Sequence, residues 1–387
     1  MEERFTNSNT NFSNELKAKR TACGITQSQL ADMLNLSRQN LNRIENGKAN
    51  ASDEMKNILT RCLDYHLSER PLFLLIDYLS VRFSDTDAPH IIKELLQMKQ
   101  EYFFHYDFAS YGYKEKYTYG EITVMASPNA SMGAFLELKG TGCRQLERVL
   151  QAQDRSWYDF LKDCIGCGGV IKRFDLAVND CTGILDVPAL SERYCMGNVI
   201  FRSHKFETVN SGKLSGKDSE TGKTLYIGSK SSPLYFCLYE KNKEQSDKGK
   251  QTDIKNRFEI RLRNKQAVGA VEELLLTHNP LQLLFSLINR YVYFPDYPLW
   301  EIFISCDDLP LEMRPMPVNV DNTLKWLERQ VAPTLKVIRE IGENIGVDYL
   351  GEIENQTHLN EKHEIKIKQM TTDIQEIILN EGVFDER

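Results

Sequence analysis

The octapeptide NRFEIRLR (256–263) alternates polar and apolar residues from Arg257 onward, the period of two that marks a β-strand with one face buried and one not. Arg257, Glu259, Arg261 and Arg263 project from one side of such a strand, and Phe258, Ile260 and Leu262 from the other. IKRFDLAVND (171–180) behaves in the same way, with Arg173 and Asp175 two residues apart on one face and Asp180 just past the strand end. KTLYIGSKS (223–231) and PLYFCLYEKNKE (233–244) are short, β-rich and bounded by Gly, Pro, Ser or Lys. Upstream, IDYLSVRF (76–83), GEITVMAS (120–127) and AFLELKG (134–140) read as further strands, and HIIKELLQMKQEYF (90–103) and TGCRQLERVL (141–150) as helices. The tyrosines at 102, 106, 111, 113, 117 and 119 are read as packing in a hairpin rather than as base-stacking platforms. The predicted fold class is α+β, a mainly antiparallel sheet with flanking helices.

Charges inside apolar strands need a reason, because an unpaired buried charge costs several kcal/mol. Two readings fit. A face carrying Asp175 and Glu259 beside arginines can hold a hard divalent cation through oxygens and a phosphate through guanidinium groups. The same residues can equally form a solvated face laced with cross-strand ion pairs.

From Leu16 to Leu63 the apolar residues fall at helical spacing, and Ile25, Leu30, Met33, Leu34, Leu36, Leu41 and Ile44 are expected to share one small core. Thr26 suits an N-cap for QSQLADML, Asn35–Leu36 makes a tight break, and Ser37 caps RQNLNRIE, which Asn46–Gly47 ends. Residues 14–62 hold eight Lys/Arg against five Asp/Glu, while the whole chain of 387 residues carries −7. Any nucleic-acid contact must therefore be local. Gln27, Ser37, Arg38, Gln39, Asn42, Arg43 and Lys48 are the candidate DNA-binding residues, supplying the donors and acceptors that read base edges or grip phosphates.

The segment 24–49, GITQSQLADMLNLSRQNLNRIENGKA, resembles the helix-turn-helix of the Xre/Cro repressor-like family. IDYLSVRF, LELKGTGCRQLE, IKRFDLAVND, KTLYIGSKSSPLYFCLYEKNKE and NRFEIRLR occur in the order seen in the rolling-circle replication initiation factor family, Rep_trans, over about residues 73–310. Joined to the helix-turn-helix, the whole is similar to the MobT-type conjugative relaxases. The resemblance implies a DNA strand nickase in which a tyrosine attacks one strand at an origin, leaving a 5′-phosphotyrosine link and a free 3′-hydroxyl, with Mg²⁺ or Mn²⁺ assisting. It implies Tyr226 as nucleophile with Tyr239 in reserve, and Asp175 and Glu259 as metal carboxylates. Arg173, Lys230, Lys241 and Arg261 are the cations available to stabilise a phenolate of ordinary pKa about 10. The seven histidines never form the His-hydrophobic-His motif of other relaxases, so a carboxylate site must replace it or activity is lost. The alternative is a non-catalytic DNA-binding regulator of a mobile element. Implied partners are origin DNA, duplex and single-stranded.

Three further features bear on function. GKDSETGKT (216–224) has five residues between its glycines where a phosphate-binding loop has four, so 210–224 is read as a flexible Gly/Ser/Lys hairpin loop. Cys164 and Cys167 form a lone CxxC without a second pair, and the nine cysteines are expected as reduced thiols of a cytoplasmic protein. After MRPMPVN (313–319), helices over 321–346 and about 360–380 are expected to pack on the sheet, with a second copy or a host helicase or accessory protein as other takers of the apolar side. The expected domains are 1–70, 71–312 and 313–387.

Overall fold

The computed structural model describes residues 2–84, 87–129, 131–203, 205–211, 222–247 and 249–379. Most of the expected loop 210–224 lies outside the described residues. The strands are β1 (Leu72–Phe83), β2 (Phe104–Tyr106), β3 (Glu115–Tyr119), β4 (Ile122–Ala126), β5 (Ala134–Lys139), β6 (Gly169–Asp180), β7 (Ile200–Phe201), β8 (Phe206–Asn210), β9 (Lys223–Ile227), β10 (Leu234–Glu240), β11 (Asn256–Arg263) and β12 (Val292–Tyr293). Every strand pair whose register is resolved is antiparallel. The chain forms two compact units, each built from two segments: residues 1–76 with 174–312, and 77–173 with 313–387. This differs from three consecutive domains, although the break at 312/313 is common to both, because β1 and β6 are each divided between the units within their own length.

In the first unit the N-terminal region forms the helices Glu2–Ala22, Gln27–Met33, Arg38–Glu45 and Asp53–Leu67. Thr26 and Gln29 make a reciprocal capping box, and Ser37 and Ser52 accept from the backbone N–H groups of Asn40 and Met55, so the three later helices begin where side-chain oxygens satisfy their first free donors. Leu16, Leu30, Leu34, Leu41, Ile44, Leu59, Cys62 and Leu63 are buried together. Met33, expected in that core, is 36% exposed, because Leu30 and Leu34 already occupy the inward side of its helix. Ile25 and Leu36 are only half-buried.

The same unit contains strands in the order β6-β11-β10-β9-β8. Leu225, Ile227, Phe236, Leu238, Phe258, Ile260 and Leu262 line one face and are buried. Phe258 lies 6.3 Å, ring to ring, from both Trp300 and Phe303 of the helix Pro298–Ile304, so this face closes on an aromatic core. Each such side chain contributes about 1.5–3 kcal/mol by burial. The helices Lys265–Thr277 and Pro280–Tyr291 follow β11 in the chain, and Ala267, Ala270, Val271, Leu274, Leu283, Leu284 and Ile288 are their buried residues.

The second unit has the order β2-β3-β4-β5-β1, with the helices Gly140–Ala152 and Trp157–Gly166. Fully buried Glu147 accepts from Trp157 Nε1 at 2.8 Å and the Arg314 N–H at 2.6 Å and pairs with Arg144 at 2.9 Å. The single helix expected over 90–103 is instead a turn of α-helix at Ala88–His90, a π turn at Ile91–Leu95 and a 3₁₀ turn at Gln100–Tyr102, broken where Gln97 adopts φ +52°. Of the C-terminal stretches, the later one docks: Gln369 donates to the Tyr102 and Thr118 carbonyls at 2.7 and 3.0 Å, and Ile377 and Ile378 are buried. The earlier one, interrupted by a π turn at Leu327–Val331 before Pro333, leaves Leu324, Trp326 and Ile341 about half exposed, contrary to the expected packing on a sheet. All nine cysteines are thiols, none joined in a disulfide. Among the described residues no helix is long and apolar enough to cross a membrane.

Candidate active site and nucleic-acid interface

The face of β8–β11 opposite the aromatic core is polar, and strand register sets its order. Glu207 on β8 stands opposite Tyr226 on β9, Tyr226 opposite Cys237 on β10, and Cys237 opposite Glu259 on β11. In the flanking rows Tyr235 faces Arg261, and Tyr239 faces both Thr224 and Arg257. The alternation in NRFEIRLR thus does what it predicts, placing Arg257, Glu259 and Arg261 on one side. The equal alternation in LYFCLYE (234–240), whose Tyr235, Cys237 and Tyr239 complete the surface, was the signal for neighbours that no motif announced.

Glu259 is 3% exposed and heavily engaged. Its Oε1 accepts from the Tyr239 hydroxyl at 2.8 Å, and its Oε2 from Arg261 Nε and Nη2 at 2.9 and 2.6 Å. Arg261 also donates through Nη1 to the Tyr235 hydroxyl at 3.0 Å, and its Nε lies 3.9 Å from Asp175 Oδ2. One guanidinium therefore stands near two buried carboxylates; burial opposes its charge, and Glu259, Cys237 and Tyr235 together outweigh that and hold it protonated. Tyr226 is half-buried, with Lys230 Nζ 4.0 Å from its ring centroid, and Lys230 is itself paired to Glu207 at 2.8 Å. Burial pushes the Tyr226 phenol above its usual value and Cys237 adds to the rise, while Lys230 and Arg261 pull it back. Burial, with Glu259 adding, pushes the Cys237 thiol up to about 12, so it stays protonated beside the phenol.

Five of the expected site residues, Tyr226, Lys230, Arg261, Asp175 and Glu259, thus fall in one unit, four on strands of one sheet and Lys230 in the turn between β9 and β10. The boundary between the units falls just after Arg173. That residue belongs to the second unit, where its guanidinium stacks 3.9 Å over the Tyr78 ring and Tyr78 donates to Glu137. Glu137 also accepts from Tyr111 at 3.0 Å and pairs with Lys139 at 3.0 Å. The two-residue spacing to Asp175 could not reveal that the chain passes from one unit to the other between Arg173 and Phe174. Tyr239, the reserve nucleophile, is half-buried with its hydroxyl donated to Glu259 and Lys241 Nζ 3.4 Å away. Asp180 is fully buried, accepting from the N–H groups of Thr182, Gly183 and Leu185 at 2.9, 2.7 and 2.9 Å.

On the N-terminal helices Arg38, Gln39, Asn42, Arg43 and Lys48 are exposed, as a reading surface requires. Gln27 and Ser37 are occupied otherwise. Gln27 donates to Glu45 at 2.6 Å and accepts from Asn42 at 3.1 Å, orienting a reader rather than reading freely, and the Ser37 hydroxyl caps its helix by accepting from the Asn40 N–H at 3.1 Å.

Three family models match this chain: a helix-turn-helix model over residues 16–69, a rolling-circle replication initiation protein N-terminal domain over 73–163, and a replication initiation factor over 169–353. The putative DNA relaxase NicK of Bacillus subtilis (strain 168) is 33% identical over 330 residues, covering 80% of this chain and 93% of NicK. The chain belongs to the replication initiation factor family. A solved rolling-circle replication initiator protein from Geobacillus stearothermophilus shares its fold, with a TM-score of 0.55 at 24% identity over 63% of this chain and all of that one.

Members of this family are expected to use a divalent cation, and the donor set here decides how this initiation factor could hold one. Among the described residues no group of three or more His, Cys, Asp or Glu side chains is assembled for a metal. The carboxylates Asp175 and Glu259, both 3% exposed, bring oxygens near Arg261. Two carboxylates suit a hard ion such as Mg²⁺ or Mn²⁺ when substrate phosphate and water complete its shell. The fit is therefore to a cation that arrives with DNA.

Proposed function

We propose that this replication initiation factor is a sequence-specific DNA relaxase, in which the helix-turn-helix reads duplex beside an origin and Tyr226 opens one strand. The observation that carries the reading is the row Tyr226–Cys237–Glu259, which sets a solvent-reachable phenol beside a buried carboxylate–guanidinium pair. In the step, the Tyr226 Oη–phosphorus bond forms as the phosphorus–O3′ bond breaks; the phenol proton is lost to solvent and the leaving 3′-oxygen takes one up. One phosphodiester replaces another, so the link can be reversed and the strand rejoined without ATP. Lys230 stabilises the developing phenolate, while Arg261 and Tyr235 are placed to meet phosphate oxygens. Asp175 and Glu259 would hold Mg²⁺ or Mn²⁺, which when bound supplies Lewis-acid polarisation of the scissile phosphate. The exposed apolar residues Leu324, Trp326 and Ile341 are the surface on which a helicase, an accessory protein or a second copy would dock.

The test is incubation with supercoiled DNA carrying the region beside its own gene and Mg²⁺ or Mn²⁺, then denaturing electrophoresis and peptide mass spectrometry. A nicked product with a nucleotide-linked Tyr226 is expected. Binding without any nick, on duplex or single-stranded substrate, would turn the reading to a non-catalytic regulator of a mobile element. One observation favours that second reading: both Glu259 oxygens are already engaged by protein donors, as in a purely structural ion pair.

A further inference from the structure

The helix-turn-helix is not tethered loosely to the strands that follow it. Only four residues separate the end of the helix Asp53–Leu67 from Leu72, the first residue of β1. They are held on both sides. Arg70 donates to Glu312 at 2.7 Å and stacks 4.1 Å over Phe73, the Pro71 carbonyl accepts from the Cys181 N–H at 3.0 Å, and Leu74 exchanges backbone bonds with Pro310 and Glu312. Asp53–Leu67 also packs on the helix Pro298–Ile304, whose Trp300 and Phe303 close the apolar face of β11.

The most specific contact is Arg61. Its Nη1 donates to the Gly183 carbonyl at 2.6 Å and lies 3.2 Å from Asp186 Oδ2. The receiving loop is itself built. Asp180, at the end of β6, gathers the N–H groups of Thr182, Gly183 and Leu185, and accepts from the side chain of Asn256, the first residue of β11, at 3.0 Å. Lys255 ties down the Thr182 carbonyl at 3.0 Å, and Gly183 takes φ +92°, a conformation open to glycine. Asp186 in turn caps the helix Val187–Cys195. Chain from the reading helices therefore reaches, through Arg61 and a fully bonded loop, the strands that carry Asp175 and Glu259.

We propose that the helix-turn-helix and the nicking face act as one rigid body that measures a set separation and helical phase between the duplex sequence read and the phosphodiester cut, with Arg61 as the positioning residue. This rests on the relaxase reading above. A duplex rotates by a full turn every ~10.5 base pairs, so a rigid reader presents the cutting face to one stretch of backbone only.

The binding sequence and the nick position are mapped first, by footprinting and by the adduct. Nicking is then compared on duplexes with the native spacing and with 5 or 10 base pairs inserted between the two, and on a single-stranded oligonucleotide carrying the nick position alone. The expected result is that both insertions lower duplex nicking about tenfold or more while the oligonucleotide is cut at its usual rate. Equal nicking at all three spacings overturns the proposal. Failure to cut the oligonucleotide overturns the relaxase reading instead. Arg61→Ala should keep duplex affinity and oligonucleotide cutting and lose the advantage of native spacing, with Arg61→Lys restoring part of it; an Arg61→Ala protein that still prefers native spacing removes Arg61 from the role.

Discussion

Two buried glutamates, each bound by an arginine through both Nε and Nη2, serve this protein in different ways. Glu45 in the helix-turn-helix receives Arg20 Nε at 2.6 Å, Arg20 Nη2 at 3.2 Å and Gln27 at 2.6 Å, and Gln27 holds Asn42. Glu259 in the sheet receives Arg261 and the hydroxyl of Tyr239, with Tyr235 on the same guanidinium and Tyr226 one strand beyond. Both carboxylates are 3% exposed. The first pair is a frame whose further partners are the neutral amides Gln27 and, through it, Asn42, so in the proposed reading the interaction with DNA happens outside it. The second is ringed by phenols that can titrate or meet a phosphate, and in the proposed relaxase reading the pair itself belongs to the chemistry. A buried ion pair says little about function until its neighbours are named.

The sharpest way to break this contrast is to remove the phenol. Tyr226→Phe should lower nicking by a factor on the order of 10⁶, to no visible product, with duplex affinity unchanged in a gel-shift titration. A variant that still cuts, alongside a Tyr239→Phe protein that does not, would move the nucleophile along the same face. The pH profile is the next largest effect. The Tyr226 phenol is held above its usual value, so it is neutral at pH 7 and the reactive phenolate grows about tenfold per unit toward alkaline pH. Nicking rates measured between pH 7 and 9 should rise accordingly; a flat profile would mean that loss of this proton does not limit the rate.

Glu259→Gln leaves Arg261 buried without its main counter-charge and should cost about 3–5 kcal/mol in thermal unfolding. In the protein that remains folded, the Mg²⁺ concentration needed for nicking should rise, as it should for Asp175→Asn. Loss of stability with no change in metal demand would make this pair a frame like the first. Glu45→Gln likewise leaves Arg20, whose side chain is 13% exposed against 23% for Arg261, without its counter-charge; it should cost a similar amount, about 3–5 kcal/mol, and in the protein that remains folded should weaken duplex binding without touching the cutting of a single-stranded oligonucleotide. Arg43→Ala should weaken duplex binding by about 1–3 kcal/mol with no loss of stability. Unchanged affinity would take Arg43 off the reading surface.

Much of the molecule could be read locally. Caps at Thr26 and Ser37 and the break at Asn35, which adopts φ +51°, define the helix-turn-helix because capping and backbone preference act over three or four residues. The period-two pattern of NRFEIRLR fixes which side chains share a face because alternation is a property of the strand alone. Where the reading departed from the structure, the cause was mostly nonlocal. Met33 has helical apolar spacing but Leu30 and Leu34 fill the available space, and Leu324 and Trp326 are apolar residues left in solvent.

The sequence by itself determined the helix-turn-helix, the polar face of the strand NRFEIRLR, the exposed residues Arg38, Gln39, Asn42, Arg43 and Lys48, and the family. Tertiary structure alone decided that Tyr226, Cys237 and Glu259 stand in one row, that Arg261 lies near both Asp175 and Glu259, and that Arg61 reaches Gly183 and Asp186 more than a hundred residues on. The physical reason is that caps and alternation depend on neighbours in the chain, whereas strand register and the docking of one helix on a distant loop are set by which apolar faces close on each other, and no single segment holds that information.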